Sequence, residues 1–169
     1  MSIRTPDEEW AVIEHPWTAP APGGLARPGI DWRGVVIHQT EGSDGPGLET
    51  DNIREYHKNE KHWSDVGYTF VVELIERGYE VVVGRPMNRA GAHCRGYNSV
   101  YLGVALAGSF NTQPPPAGQL AKAAEFVSAL MDELQIPRDK LFYHRELCDT
   151  NCPGKSFPEV EFREMVGRA

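Results

Sequence analysis

The apolar residues of this chain fall into short β-branched runs and one longer stretch with helical spacing. Val35-Val36-Ile37 is a short run, and it predicts a buried strand that ends at His38. Residues 101–107 are almost continuously apolar, which is typical of a central strand covered on both faces. A helix that ends at Pro137 is predicted where apolar residues recur every three or four positions: Leu120, Ala124, Val127, Met131 and Leu134.

Weaker patterns complete the predicted order of elements. Residues 66–74 and 80–83 are predicted to pair as strands around Glu76-Arg77-Gly78, because a short glycine-containing connection between two apolar runs is typical of a hairpin. The other predicted elements are a helix at 48–58, a short strand at 141–143 and a closing helix at 159–166. Strands and helices in this order favour an α/β fold with one central mixed sheet and helices on both faces.

Residues 1–30 differ in character from the rest of the chain. Thr5-Pro6-Asp7-Glu8 carries the signals of a helix start, which predicts a short helix to about Glu14. Seven of the fifteen residues from 16 to 30 are Pro or Gly, which predicts an irregular strap. We therefore expect an N-terminal extension at residues 1–30 and a single domain at residues 31–169.

The chain has 169 residues and a formal net charge of −7. A field of this sign repels phosphates, which argues against a general nucleic-acid or anionic-membrane binder. No apolar run reaches the length of about 18 residues that a membrane-spanning helix needs, and no apolar stretch follows Met1. We therefore expect no nucleic-acid partner, no membrane association and no secretory signal.

One stretch departs from the acidic balance. Between Val81 and Ala124 there is no Asp or Glu, whereas Arg85, Arg89 and Arg95 are present. Because arginine binds carboxylates bidentately, this stretch is a candidate site for carboxylate groups of a ligand. The alternative is that these arginines pair with acidic residues elsewhere in the fold.

Two histidines and a cysteine stand where metal ligands are often found. His38 and His144 each follow a predicted strand, and Cys152 lies in a loop closed by Pro153-Gly154. Ligands in α/β proteins commonly bind at the carboxyl ends of strands. Two imidazoles and one thiolate form a three-ligand set that leaves Zn²⁺ a fourth position for water. On spacing alone, a single histidine after a strand is more often a hydrogen-bonded structural residue than a metal ligand.

Short motifs follow one another in a fixed order between residues 35 and 154, roughly seven-tenths of the chain. They are Val36-Ile37-His38-Gln39-Thr40, Trp63-Ser64-Asp65-Val66-Gly67-Tyr68, Gly84-Arg85, Gly91-Ala92-His93, Gly96-Tyr97-Asn98, and His144-Arg145 with Thr150-Asn151-Cys152-Pro153-Gly154. In this order they resemble the N-acetylmuramoyl-L-alanine amidase type 2 family, which includes small phage lysozyme-type amidases and peptidoglycan recognition proteins. The resemblance implies hydrolysis of the amide bond between N-acetylmuramic acid and L-alanine in peptidoglycan.

The resemblance also implies a zinc site at the strand ends, with one Zn²⁺ per chain. His38, His144 and Cys152 match the family's zinc ligands. Tyr68 matches the tyrosine beside the metal-bound water, and Thr150 stands where the family has Lys or Thr to stabilise the oxyanion. A threonine lacks the charge of a lysine, so we expect weaker oxyanion stabilisation at that position.

The expected substrate contacts lie in the middle of the chain. His93 and Asn98 match family positions that line the groove for the muramyl-peptide. Arg85 and Arg95 are candidate contacts to the carboxylates of the stem peptide, with Arg89 as a third. The expected partner is therefore peptidoglycan or a soluble muropeptide, bound by a monomer.

Other polar residues have less certain roles. Thr69 stands where many family members have a histidine that is not a zinc ligand. Glu41 is a candidate general base, although a loop charge is the simpler interpretation. His57 recurs in the family pattern and is expected to be structural.

The three cysteines are too few, and odd in number, for a disulfide framework, so we expect three reduced thiols. Cys148 is expected to be a bystander. Cys94 is expected either to line the groove or to act as a small buried hydrophobe.

Three functions remain in competition. The first is a zinc amidase. It acts as a phage or prophage endolysin, made in the host cytoplasm and released to the wall, as a cytoplasmic enzyme of wall recycling, or as an exported enzyme whose signal has been removed. The second is a non-catalytic peptidoglycan-binding module, although such relatives typically lose a zinc ligand, commonly the cysteine. The third is a thiol hydrolase with Cys152 as nucleophile and His144 as base.

Overall fold

Residues 29–42, 49–76 and 78–168 are described by the computed structural model. The predicted extension lies almost wholly outside this part of the chain, and so does most of the loop before the first helix. The division into residues 1–30 and 31–169 therefore stays a prediction.

Five strands form one mixed sheet, as the apolar runs predict. The order across the sheet is β3-β2-β4-β1-β5, with β2 and β3 antiparallel and every other neighbouring pair parallel. The antiparallel pair is the predicted hairpin, and β4 is the central strand. The strands are β1 (Gly34–Gln39), β2 (Phe70–Ile75), β3 (Gly78–Val83), β4 (Tyr101–Leu106) and β5 (Leu141–Tyr143).

Helices cover both faces of this sheet. The described helices are α1 (Glu49–Asn59), α2 (Ala117–Glu133), α3 (His144–Leu147) and α4 (Glu159–Arg168). On one face, α2 packs against the sheet and α4 packs against α2. On the other face, α1 is tied to β2 through the buried Thr50 and Glu73, whose side chains are hydrogen-bonded. None of these described helices is long and apolar enough to cross a membrane.

The two faces of the sheet carry unequal cores, because successive residues of a strand point to opposite sides. Ile37, Leu102 and Val104 belong to the large apolar cluster under α2 and α4. The opposite face carries a smaller cluster of small side chains that includes Val71 and Ala105. Residues next to Ile37 in β1 therefore point toward the thinly covered face, where a polar site can form.

Two local predictions need correction. The first hairpin strand begins at Phe70, not at Val66. Segment 66–69 bends because Gly67 meets the neighbouring backbone: a Cβ atom there would lie 2.4 Å from the Ala92 carbonyl oxygen. The short helix α3 was not predicted. It is capped at its start by Glu146, whose Oε2 accepts a 2.7 Å hydrogen bond from the Tyr143 N–H.

Candidate metal centre

Strand register brings His38 and His144 together. The neighbouring parallel strands β1 and β5 pair Ile37 with Tyr143, and each histidine is the next residue in its own chain segment. Both imidazoles therefore emerge side by side at the same end of the sheet, with ring centroids 4.4 Å apart. His38 is 1% exposed, whereas His144 is only partly buried.

The loop after α3 returns Cys152 to the same point. The Arg145 N–H donates to the Cys152 carbonyl oxygen over 2.9 Å, and the Gln39 N–H donates to Cys152 Sγ over 3.3 Å. The loop also requires Gly154, whose φ is +110° and where a Cβ atom would lie 2.4 Å from the Phe110 carbonyl oxygen. These contacts hold Cys152 Sγ 3.6 Å from His38 Nδ1.

A chain of hydrogen bonds fixes the tautomer of His38. His93 Nε2 lies 3.0 Å from the Tyr101 carbonyl oxygen, which can only accept, so the proton of neutral His93 is on Nε2. His93 Nδ1 then accepts from His38 Nε2 over 2.9 Å. Burial lowers the pKa of His93 to about 4, which keeps this ring neutral. The lone pair of His38 is therefore on Nδ1, the nitrogen that faces Cys152.

His93 borders a cavity that opens over His38, and its predicted contact with the substrate stays a prediction. The ring is 8% exposed, and both of its nitrogen atoms are used inside the protein. It fits between the strands because β4 has Gly103 at this position, where a Cβ atom would lie 2.7 Å from His93 Cγ. His93 therefore supports His38 from behind and does not offer a free nitrogen to the cavity.

The three side chains fit a zinc ion. One nitrogen of each histidine and Sγ of Cys152 all lie within 4.8 Å of one another. Two ligands at about 2.1 and 2.3 Å from a tetrahedral Zn²⁺ are ~3.6 Å apart, which matches the measured separation of His38 Nδ1 and Cys152 Sγ. Imidazole and thiolate donors favour zinc over the harder magnesium and calcium ions. Three protein ligands are typical of catalytic zinc sites, which keep a fourth position open.

Burial shifts the pKa values of the histidine and cysteine donors in opposite directions. Desolvation, together with the nearby His93 and His144, lowers the pKa of His38 well below its ordinary value, so its imidazole stays neutral. Desolvation raises the pKa of the Cys152 thiol to about 12. A buried thiolate needs a cation beside it, and a metal ion supplies that charge.

A cavity of about 200 Å³ opens over the three side chains. Tyr68 and Thr150 both line it. The Tyr68 ring lies 5.1 Å from the His38 ring, and burial raises the pKa of the Tyr68 phenol, so the hydroxyl stays protonated. Thr150 Oγ1 accepts a 3.2 Å hydrogen bond from the Cys152 N–H and so shapes the loop as well.

The rim of this cavity is polar and aromatic. Glu41 lies on it, exposed, and its Oε1 accepts a 3.2 Å hydrogen bond from Gln39 Nε2. His57 and Trp63 stand on the rim with their rings 4.6 Å apart, and His57 Nδ1 accepts from the Gly67 N–H over 3.0 Å. Gln39 was not among the predicted site residues. Its position just after a buried apolar run could have indicated that it belongs to the site.

The arginines separate into two groups. Arg85 is 7% exposed and donates from all three of its nitrogen atoms to the carbonyl oxygens of Val66, Ala90 and Asp65, at 2.9, 2.9 and 3.0 Å. Its guanidinium holds the loops behind the site together, and its predicted contact with a substrate carboxylate stays a prediction. Arg95 is exposed, so its contact with substrate stays a prediction.

Asn98 shapes the loop that carries His93. Its Oδ1 accepts hydrogen bonds from the backbone N–H groups of His93 and Cys94, at 2.8 and 2.9 Å. The side chain is partly buried, and its predicted contact with a muramyl-peptide stays a prediction.

Comparisons with known proteins agree with this site. Residues 28–155 match the family model described as N-acetylmuramoyl-L-alanine amidase. The chain is 32% identical over 126 residues to peptidoglycan-recognition protein SC2 of Drosophila melanogaster, covering 71% of this chain and 67% of that protein. It is 36% identical over 107 residues to an N-acetylmuramoyl-L-alanine amidase of Mus musculus, covering 62% of this chain and 20% of the mouse protein. The chain thus spans about a fifth of that relative.

The fold agrees as well. The endolysin N-acetylmuramoyl-L-alanine amidase LysCS from Clostridium intestinale URNW superposes with a TM-score of 0.69 and 26% sequence identity, over 83% of this chain and 86% of that chain. The family match covers more than half of the chain and includes every side chain of the candidate metal centre. The chain therefore belongs to the N-acetylmuramoyl-L-alanine amidase family.

Proposed function

We propose that this protein is a zinc-dependent amidase that hydrolyses the bond between N-acetylmuramic acid and L-alanine in peptidoglycan. The observation that carries the proposal is the set of three donor atoms from His38, His144 and Cys152 at the floor of an open cavity, within 4.8 Å of one another. A zinc ion held there supplies Lewis acidity for amide hydrolysis at neutral pH.

The chain's own residues do the remaining work. His93 holds His38 in the tautomer that presents Nδ1. Tyr68 stays protonated, so its hydroxyl can donate a hydrogen bond to the oxygen on which charge develops as the amide carbonyl is attacked. Thr150 offers a second hydroxyl on the same cavity, without the positive charge of a lysine.

The first experiment is digestion of purified peptidoglycan with and without a chelator. New L-alanine amino groups that disappear with the chelator and return with Zn²⁺ are expected. New reducing sugar ends in their place would identify a glycosidase and contradict the proposal. If the protein binds the wall but cleaves neither intact peptidoglycan nor soluble muropeptides, it is a non-catalytic binding module.

Variants separate the roles of the site residues. His38→Ala and Cys152→Ala are expected to lose both zinc and activity. Tyr68→Phe is expected to keep zinc and to lower kcat by ~10²–10³, the usual effect of removing one oxyanion donor. Activity that survives in Cys152→Ala but is lost on chelation of the wild type would mean that the metal is held elsewhere.

We further propose that the enzyme acts as an endolysin, made in a host cytoplasm and delivered to the wall through a pore formed by a partner. The similarity to the endolysin LysCS supports this role. Expression in a bacterial cytoplasm is expected to leave cells intact until a pore-forming protein is co-expressed, and then to lyse them. A His38→Ala control should not lyse them. Unchanged walls after pore formation, with active enzyme in the extract, would favour a role in wall recycling.

A further inference from the structure

Two cysteines outside the candidate metal centre meet in the folded chain. Sγ of Cys94 lies 3.0 Å from Sγ of Cys148, although 54 residues separate them in the sequence. A disulfide bond has an S–S length of about 2.05 Å, so the two sulfurs need to approach by only about 1 Å. The expectation that Cys148 is a bystander left this contact with Cys94 out of account.

Both cysteines are held in place by the backbone around them. The Cys94 N–H donates to Asn98 Oδ1 over 2.9 Å, within the loop that also carries His93. The Cys148 N–H donates to the His144 carbonyl oxygen over 3.0 Å, which closes the single turn of α3. The sulfurs therefore meet because two anchored segments meet.

The chemistry of the neighbourhood favours a dithiol over a second metal site. His144 has a nitrogen close enough to complete a cluster with Cys94 and Cys148. The same histidine also belongs to the cluster of His38 and Cys152, where the separation of His38 Nδ1 and Cys152 Sγ matches that of two ligands of one zinc ion. With His144 engaged there, two thiols remain, and two ligands fall short of the four that a structural zinc ion needs.

We propose that Cys94 and Cys148 form a reversible disulfide bond when the protein meets a disulfide oxidant such as oxidised glutathione. Cys148 is partly exposed and Cys94 is 2% exposed, so Cys148 reacts first. Its thiolate attacks one sulfur of the oxidant, forms a mixed disulfide and releases one glutathione thiolate. The Cys94 thiolate then attacks the Cys148 sulfur, closes the protein disulfide and releases the second glutathione. Each thiol proton passes to solvent, and the oxidant gains the two electrons that the cysteines lose.

The bond would join two segments that support the metal centre from different sides. One is the 91–98 loop, which positions His93 behind His38, and the other is α3, which begins with His144. Closing a long loop removes conformational freedom from the unfolded chain. Oxidation is therefore expected to raise the melting temperature by roughly 5–15 °C.

The test treats the purified full chain, in zinc-containing buffer, with oxidised glutathione. The intact mass is measured first, and the protein is then denatured, alkylated and digested for peptide mass spectrometry. The expected result is an intact mass lower by two hydrogen atoms, a peptide that links Cys94 to Cys148, and an alkylated Cys152. Reduction with dithiothreitol should restore both free thiols and the lower melting temperature.

Matched variants keep the test decisive. Cys148→Ser changes the more exposed partner and should fold, yet show neither the cross-link nor the shift in melting temperature. Cys94→Ser should stop the reaction at glutathione attached to Cys148. Three alkylated thiols in the oxidised wild type, glutathione that persists on wild-type Cys148, or a cross-link that contains Cys152 would each overturn the proposal. Because the readout follows the cysteines alone, it does not depend on whether the protein is an amidase.

Discussion

At the scale of single residues, the candidate metal centre depends on His93, which is not a predicted ligand but is hydrogen-bonded to the ligand His38. His93 Nδ1 accepts a 2.9 Å hydrogen bond from His38 Nε2–H, which fixes Nδ1 of His38 as the nitrogen that is free to bind a metal. His93→Phe keeps a ring of similar size and removes the acceptor. We expect it to weaken Zn²⁺ binding by ~10–100-fold, the usual effect of removing a hydrogen-bond partner of a metal-ligating histidine. Competition with a chromophoric chelator measures this affinity.

The control is His93→Asn, whose amide oxygen can still accept from His38. It should retain more zinc affinity than His93→Phe at equal melting temperature. If both variants lose affinity in step with their loss of stability, His93 has a packing role only.

The sequence identifies the three donor side chains but not the partner behind them. His38 and His144 follow apolar runs, and Cys152 directly precedes Pro153-Gly154. Such positions can be recognised from the sequence alone. The meeting of His93 with His38 depends on a missing side chain, since Gly103 is the residue that leaves space in β4. A glycine inside an apolar strand often marks a close approach, but it does not say which residue approaches.

At the scale of the elements, Arg85 links two segments of chain beside the start of β2, residues 65–66 and the turn at Ala90. Its guanidinium donates to the carbonyl oxygens of Val66, Ala90 and Asp65. Arg85→Lys replaces a planar fork by a single ammonium group, which cannot reach three acceptors. We expect a loss of about 2–4 kcal/mol in the free energy of unfolding, because buried carbonyl groups lose their donors. Denaturant titration measures it.

The matched control is Arg95→Lys, on the exposed part of the same region. It should change the free energy of unfolding by less than about 0.5 kcal/mol, as surface substitutions usually do. Equal losses in the two variants would contradict the assigned role of Arg85.

The junction of α1 with β2 predicts a dependence of stability on pH. Glu73 is 2% exposed, and its Oε2 accepts from both the N–H and the hydroxyl of Thr50, each at 2.7 Å. Burial raises the pKa of Glu73, only partly offset by these hydrogen bonds. A raised pKa in the folded state stabilises the fold fully below the unfolded pKa of about 4.3, and that contribution is lost as the pH rises through the folded value.

Glu73→Gln keeps an oxygen for Thr50 and removes the ionisation. The melting temperature of this variant, relative to the wild type, is therefore expected to increase between about pH 4 and pH 7. Glu55→Gln, at an exposed position of α1, should show no such trend. If the melting temperature of Glu73→Gln relative to the wild type stays constant or falls as the pH rises, the folded protein does not disfavour the ionised carboxylate of Glu73.

The pattern of apolar residues predicts the strands, the helix α2 and their mixed arrangement, because the large core is built from regular spacing. It places the start of the hairpin too early, since Val66 and Tyr68 read as a continuation of the apolar run. It misses α3 because four residues carry no periodicity. In both places backbone contacts from distant segments decide the structure, and these contacts have no local signal.

At the scale of the whole molecule, metal binding and folding are coupled. The three donors are far apart in the sequence and meet only in the fold, so Zn²⁺ binds the folded chain and not the unfolded one. At a free concentration a thousandfold above its Kd, it should add ~4 kcal/mol to the free energy of unfolding, or about 8–16 °C in melting temperature. Calorimetry with and without chelator measures the shift.

Hydrogen exchange locates the effect. Removal of the metal should reduce protection in residues 38–41 and 144–154 and leave α2 unchanged. A loss of protection spread evenly over the sheet, or no change in melting temperature, would contradict a metal site at this position.

The register of β1 and β5 has a consequence for biosynthesis. His38 and Cys152 are 114 residues apart, and β5 is the last strand of the chain to be made. On the ribosome, His38 is synthesised long before His144 and Cys152, the other two donors of the candidate metal centre. The candidate metal centre is therefore incomplete until the segment after β5 has emerged and docked at the sheet edge. A centre of this design is completed in one late step, and a product truncated before His144 has only one of the three donor side chains.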